Sequence, residues 1–354
     1  MNMGCRIIWG HEMLKRAVKH GLVSPYQFGG INGRMAISCV LLKRTSYDII
    51  RLMRLVAIIF DNDATAAYDR MIPSQCMILS ARAGVSLQAI QMKLTALERM
   101  KYYVKTAYGA SKEHFQNSFL RKILGMLQGS SEVCPIWTLS SSVQFDVLDK
   151  QYPPAVFPSP RPEVHTARNG EGFVDDVTLW ETSHTKELED VLAIMETKAQ
   201  AWERGVHVAG GALNFLKTFF FAVSWNFRKN GQPVMRTVND DPDIAINLTQ
   251  GNERTRTTPI TRVEVTTGKR TLGVRLAPSG DDKTEYQYRL EEAKKLRPRL
   301  LRAPLNREST RRGFTAMILQ KFSYPLGATC FSEKECDSIQ AKYMPTVLSK
   351  MGIN

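Results

Sequence analysis

None of the six cysteines, at positions 5, 39, 76, 134, 330 and 336, forms a CxxC pair. Neither a structural zinc site nor a disulfide framework is therefore indicated. No stretch approaches the roughly 18 uncharged apolar residues that a membrane span requires. Met1 to Gly10 has no apolar h-region and no small-residue cleavage site, so it does not read as a signal peptide. Internal repeats and low-complexity tracts are missing as well. These absences describe a soluble intracellular chain, in nucleus or cytoplasm, with no membrane partner and no sign of a protein partner.

Acids are the scarcer charge. The 354 residues hold 34 Asp and Glu against 48 Lys and Arg, a net charge of +14. Residues 1–58 contain nine basic residues against two acids (+7), and residues 289–312 contain nine against three (+6). The other 272 residues carry only +1. Two basic regions flanking a neutral middle suit a polyanion gripped from both sides. Solvated helix faces would produce the same count.

Leu55 to Phe60 is a continuous apolar run, the pattern of a strand buried on both faces, and it ends in Asp61-Asn62-Asp63. Ser86 is placed to cap a helix carrying Ile90, Leu94, Leu97 and Val104 on one face. Gly125 to Gly129 breaks the chain before an apolar segment, Val133 to Leu148. The five prolines of residues 151–162 predict a loop. Gly172 to Trp180 reads as a hairpin with Asp175-Asp176 at its turn. Residues 185–204 predict an amphipathic helix whose inner face holds Leu188, Val191, Leu192, Met195, Ala199 and Trp202. Strand-like runs follow at 213–227 and 263–276. The text from Glu285 onward is helical and basic, interrupted by prolines such as Pro298. This order predicts an α+β fold with helices on one face of an antiparallel sheet.

Carboxylates at the ends of buried strands need an explanation, because an unpaired buried charge is expensive. One such Asp is best read as an arginine partner or a helix cap. Asp63 together with Asp175-Asp176 makes a set, and Mg²⁺ binds a few carboxylates plus substrate phosphates.

The surrounding residues resemble reverse transcriptases. FDNDATAAYDRM is similar to motif A, GMLQGSSEVCPIW to motif B and FVDD to the motif C box. GGALNFLKT is similar to motif D and TLGVRLAP to the motif E primer grip. SPYQFGGINGR resembles a fingers motif of the non-LTR (LINE-like) class, and the long interval between motifs A and C fits that class too. These matches occur in family order and cover most of residues 20–278.

The resemblance implies a right-hand polymerase: an antiparallel palm sheet backed by helices, with partial fingers and a helical thumb. Residues 1–58 would be partial fingers, 59–278 the palm, and 279–354 part of the thumb or connection. The implied activity is RNA-directed DNA polymerisation on an RNA template and a DNA primer with dNTPs. Two Mg²⁺ ions, with Mn²⁺ as a possible substitute, would be held by Asp63, Asp175, Asp176 and the carbonyl of Ala64. The family spacing selects Asp63 as ligand and leaves Asp61 as an exposed strand-end acid. Lys217 corresponds to the motif D lysine beside the leaving pyrophosphate. Tyr68 occupies the steric-gate position that excludes ribonucleotides; its bland alternative is core packing. Gln128 and Gly129 match the nucleotide-contacting dipeptide, with Cys134-Pro135 where the family usually has Ser-Pro. Leu272 and Gly273 match the primer grip. Arg34 is a candidate for template or triphosphate contact, and Arg297, Arg299 and Arg302 for primer-duplex phosphates. The family's early fingers, an endonuclease and an RNase H domain are expected to be missing. A decayed copy acting at most as a nucleic-acid binder, and a group II intron-type polymerase, remain the alternatives.

Overall fold

The computed structural model describes residues 2–118, 125–126, 129–161 and 163–353. Along the chain we label α1 (Ala36–Met53), β1 (Val56–Asn62), α2 (Pro73–Arg82), α3 (Leu87–Arg99) and α4 (Val133–Gln151). Next come β2 (Gly170–Phe173), β3 (Asp176–Ser183), α5 (Leu188–Val208), β4 (Phe219–Val223), β5 (Ile246–Leu248) and β6 (Thr258–Arg262). A hairpin, β7 (Lys269–Thr271) and β8 (Val274–Leu276), precedes α6 (Lys283–Arg302). Helices and strands mix within one α+β fold. No helix among the described residues is long and apolar enough to cross a membrane.

Six strands form the main sheet in the order β5-β6-β4-β1-β3-β2. The expected all-antiparallel sheet is corrected here, because β4 and β6 run parallel, pairing Phe219 with Thr261 and Phe220 with Arg262. Between them residues 224–257 leave the sheet and return through β5 at its edge, which delivers β6 in the same direction as β4.

Strand β1 lies at the centre, and alternation sends its side chains into two cores. Ile58 and Phe60 join Phe145, Leu148, Val191, Met195 and Trp202 beneath α4 and α5. Ala57 and Ile59 join Val40, Tyr47 and Ile50 of α1, with Trp180 and Phe221. Ile58, Ile59 and Phe60 are fully buried, and burying each such side chain contributes about 1.5–3 kcal/mol. Helices thus cover both faces; the expectation of one covered face missed α1, whose apolar stripe is diluted by polar residues.

Three local expectations change as well. Ser86 does cap α3, accepting a hydrogen bond from the Ala89 N–H, but the helix ends at Arg99 and Val104 lies exposed beyond it. Within the proline-rich stretch, Ala155–Pro158 pairs with His165–Arg168 as an edge ribbon, where missing N–H groups cost little. Pro298 sits inside α6 on its exposed side and costs one helical hydrogen bond. The C-terminal helices share a separate core of Ala293, Leu300, Ile318, Ile339, Tyr343 and Val347.

Candidate active site

Alternation along β1 and β3 fixes which acids meet. Asp61 stands opposite Thr178 and Asn62 opposite Val177, so continuing the register brings Asp63 beside Asp176. On that face a cleft of about 480 Å³ is lined by Asp61, Asp63, Asp175, Asp176, Lys217 and Leu272, among others. The tertiary fold therefore gathers Asp63, both hairpin acids and Lys217 in one place.

Asp63 Oδ2 accepts a hydrogen bond from Lys217 Nζ at 2.9 Å, and this bond raises the pKa of the exposed ammonium. Burial raises the pKa of Asp175, with Asp63 adding to the shift. Asp176 reaches the cleft surface, yet the protein around it, followed by the charges of Asp175 and Asp63, pushes its pKa up to about 6. Lys43 opposes that rise. Mutual repulsion of this kind is what a bound dication relieves, and an all-oxygen donor set suits Mg²⁺ or Mn²⁺. Among the described residues, no three His, Cys, Asp or Glu are drawn into a ready-made metal cage. The Ala64–Leu213 bridge uses Asp63 O and Thr65 N for its hydrogen bonds, so the Ala64 carbonyl takes no part in it.

Asp61 corrects an expectation: it is buried, not exposed. Its Oδ1 accepts hydrogen bonds from Lys43 Nζ and, at 2.5 Å, from Thr178 Oγ1, while Oδ2 has no partner. Lys43 also donates to Thr178 Oγ1 and Thr271 Oγ1, both at 3.1 Å. One buried ammonium thus ties α1 to β1, β3 and β7 beneath the cleft. Sequence reasoning missed Lys43, although a lysine on a stripe with Cys39, Val40 and Tyr47 was a usable signal.

The turn carrying Asp175 is the most constrained part of the site. Val174 adopts φ +61, a costly conformation for a β-branched residue. Three groups hold it there. Trp137 Nε1 donates to the Val174 carbonyl at 2.6 Å. Gln27 accepts from the Val174 N–H at 3.2 Å and from the Gly29 N–H at 2.9 Å through the same Oε1. A Cβ on Gly29 would lie 2.4 Å from Val174 N, so only glycine lets the two segments close. Residues 26–28 also bond to Gly172 in both directions, zipping the QFGG segment onto β2. Gln27, Gly29 and Trp137 are functional candidates that residue chemistry alone did not single out.

Tyr68 does not line the cleft. It is half-buried, packs edge-on against Trp137 at 6.2 Å and hydrogen-bonds with Cys134. Burial, the larger cause, and that thiol raise its pKa far above the usual phenol range. Gly129 lies in an exposed turn at φ +93, and Gln128 falls outside the described residues. Arg34 donates through Nη1 to the carbonyls of Ser24 (2.9 Å) and Gln27 (2.5 Å), so it braces the loop of residues 24–34. Burial lowers its pKa.

Leu272 (φ +47) and Gly273 (φ +93) form the β7–β8 turn at the cleft rim. Such a pair of positive φ angles defines the tight hairpin turn that favours glycine. Tyr324 OH donates to the Leu272 carbonyl at 3.0 Å, and Arg289 Nη2 to the Gly273 carbonyl at 2.6 Å. Arg297, Arg299 and Arg302 are exposed on α6 and do not line the cleft. At about 100° per residue, Arg297 and Arg299 flank the buried stripe of α6 on opposite sides.

No protein-family model matches the sequence, and no curated protein matches it either. The matching solved structures include telomerase from Candida albicans in complex with a TWJ fragment of telomeric RNA, at 13% identity and a TM-score of 0.36. The match covers 99% of this chain and 52% of that one, so the chain spans about half its length. A likeness that distant fixes neither activity nor ligand.

Proposed function

We propose that the chain is the core of an RNA-directed DNA polymerase that adds dNTPs to a primer 3′-hydroxyl. The observation that carries this is the gathering of Asp63, Asp175, Asp176 and Lys217 in one cleft. The six family-like motifs in order add to it. Residues 59–278 would serve as the palm, with parts of fingers and thumb on either side.

Asp63, Asp175 and Asp176, with the Ala64 carbonyl, would hold two Mg²⁺ ions, which when bound supply Lewis acidity at the attacking and leaving oxygens. Lys217 keeps its ammonium protonated beside Asp63. It can therefore shift to the leaving pyrophosphate and neutralise or protonate it. The Leu272-Gly273 turn, with little side-chain bulk at the glycine, lets a primer backbone approach the acids. Lys43 and Asp61 form the floor on which the ligand-bearing strands are held in register.

Primer extension on an RNA template, with dNTPs and Mg²⁺, tests the proposal. The purified chain should extend the primer, and Asp63→Asn or Asp175→Asn should abolish extension while duplex binding persists. Near-normal extension by either variant would show that these are not the ligands. A wild-type chain that binds but never extends would reduce the function to nucleic-acid binding.

A further inference from the structure

Residues 101–116 form a ribbon that takes no part in the cleft. Lys101-Tyr102 pairs with Phe115-Gln116, and Lys105-Thr106 with Gly109-Ala110, both antiparallel. Residues directly opposite share a face, and one further step of the first register sets Tyr103 against His114. Their ring centroids lie 5.6 Å apart with the planes tilted by 39°. Lys101 and Lys105 lie two residues either side of Tyr103 in the chain, and the register shifts between them, Lys101 facing Gln116 and Lys105 facing Ala110. The ribbon thus sets a lysine on either side of the ring pair along the chain.

These side chains are open to solvent: Tyr103 is 52% exposed, Phe115 67%, and Tyr108 at the tip fully so. Lys101, Lys105 and Lys112 have no carboxylate partner among the described ion pairs, and Glu113 is the only acid in the ribbon. Rings left in water this way contribute nothing to the core. Lys101, Lys105 and Lys112 accompany the rings, and lysine is a residue type depleted at protein interfaces. Aromatic rings interleaved with unpaired cations match single-stranded nucleic acid, which offers a π-face on every base and a phosphate between each pair.

We propose that this ribbon is a stacking platform for single-stranded nucleic acid. Bases lie on the Tyr103–His114 pair and on Tyr108, while Lys101, Lys105 and Lys112 neutralise phosphates. The proposal deepens the polymerase reading by giving the chain a grip on unpaired strand, but its chemistry does not require the acids.

The test uses the full chain carrying Asp175→Asn, with labelled oligouridylate as single strand and a blunt duplex as control. Combined Tyr103→Ala and Tyr108→Ala should raise the single-strand Kd on the order of tenfold, the loss expected when stacking is removed. Duplex affinity should stay unchanged, and the corresponding Phe variants should restore single-strand binding. Photocrosslinks from 5-iodouracil oligonucleotides should map within 101–117. Equal losses on both probes, no loss at all, or crosslinks confined to other segments would each overturn the proposal. An unchanged single-strand Kd would leave the rings to a protein partner. Ring-dependent binding without primer extension would sink the polymerase reading alone; extension without ring-dependent binding would sink the ribbon alone.

Discussion

Asp176 shows how one carboxylate records the charge of its neighbours. With its pKa at about 6 in the folded chain against an ordinary 3.8, the folded state binds the proton more tightly than the unfolded state. The charged form therefore destabilises the metal-free fold above about pH 6, and this penalty fades as pH falls towards 3.8. Asp176→Asn should raise the melting temperature of metal-free protein at neutral pH, with the gain vanishing at acid pH. A gain independent of pH in a melting series would remove Asp176 from the repulsive cluster. Tyr68 raises a different question, because it packs on Trp137 and hydrogen-bonds with Cys134 behind the cleft. If its ring still bounds the sugar site, Tyr68→Ala should increase rNTP incorporation relative to dNTP. Unchanged selectivity in single-nucleotide extension would return Tyr68 to the core.

At the scale of elements, the β2–β3 hairpin is held from outside by α4 and by the QFGG segment. Gly29→Ala must push a methyl group into Val174, and overpacking of this kind costs about 1–3 kcal/mol. Because the displaced residue adjoins Asp175, activity should fall further than the stability loss explains, since small misplacements of reacting groups are costly. Trp137→Phe keeps an aromatic ring beside Tyr68 but deletes the indole N–H that donates to the Val174 carbonyl, together with the five-membered ring that carries it. It should lower kcat with little change in KM. Unfolding curves alongside steady-state extension would check both variants. A Gly29→Ala protein with normal stability and rate would refute the bracing role.

For the whole molecule, charge is less available than its total suggests. Of the basic residues in 1–58, Lys43 is buried on Asp61, Arg44 pairs with Asp282, and Arg51 with Asp48. Within 289–312, Arg289 pairs with Glu285, and Lys294 and Lys295 pair with Glu291 and Glu292. Arg297, Arg299 and Arg302 keep no carboxylate partner among the described residues. Replacing all three by Ala should flatten the dependence of log Kd on log salt for a primer duplex, by about 0.9 for each B-form phosphate no longer neutralised. Affinity should weaken alike for all sequences. Since Arg297 and Arg299 leave α6 on opposite flanks, single variants should divide that change unequally. An unaltered slope in salt-titrated binding would place all three on a solvated outer face.

The sequence by itself determined the central strand, the acidic hairpin and the long amphipathic helix. Each carries a local mark of its burial: an unbroken apolar run at 55–60, apolar residues either side of an acid pair at 172–180, and a helical period at 185–204. Acids at the ends of buried strands drew attention to Asp61-Asn62-Asp63 and Asp175-Asp176, while the choice of Asp63 and of Lys217 rested on the resemblance to the reverse-transcriptase motifs. Only the tertiary structure decided the contacts between segments far apart in the chain. The ion pair of Lys43 with Asp61, the Gln27 carboxamide on Val174 and the parallel β4–β6 pairing each join residues whose local patterns carry no mark of the partner. Asp61 makes the difference plain: local sequence leaves it at the exposed end of a strand, and only the arrival of α1 buries it.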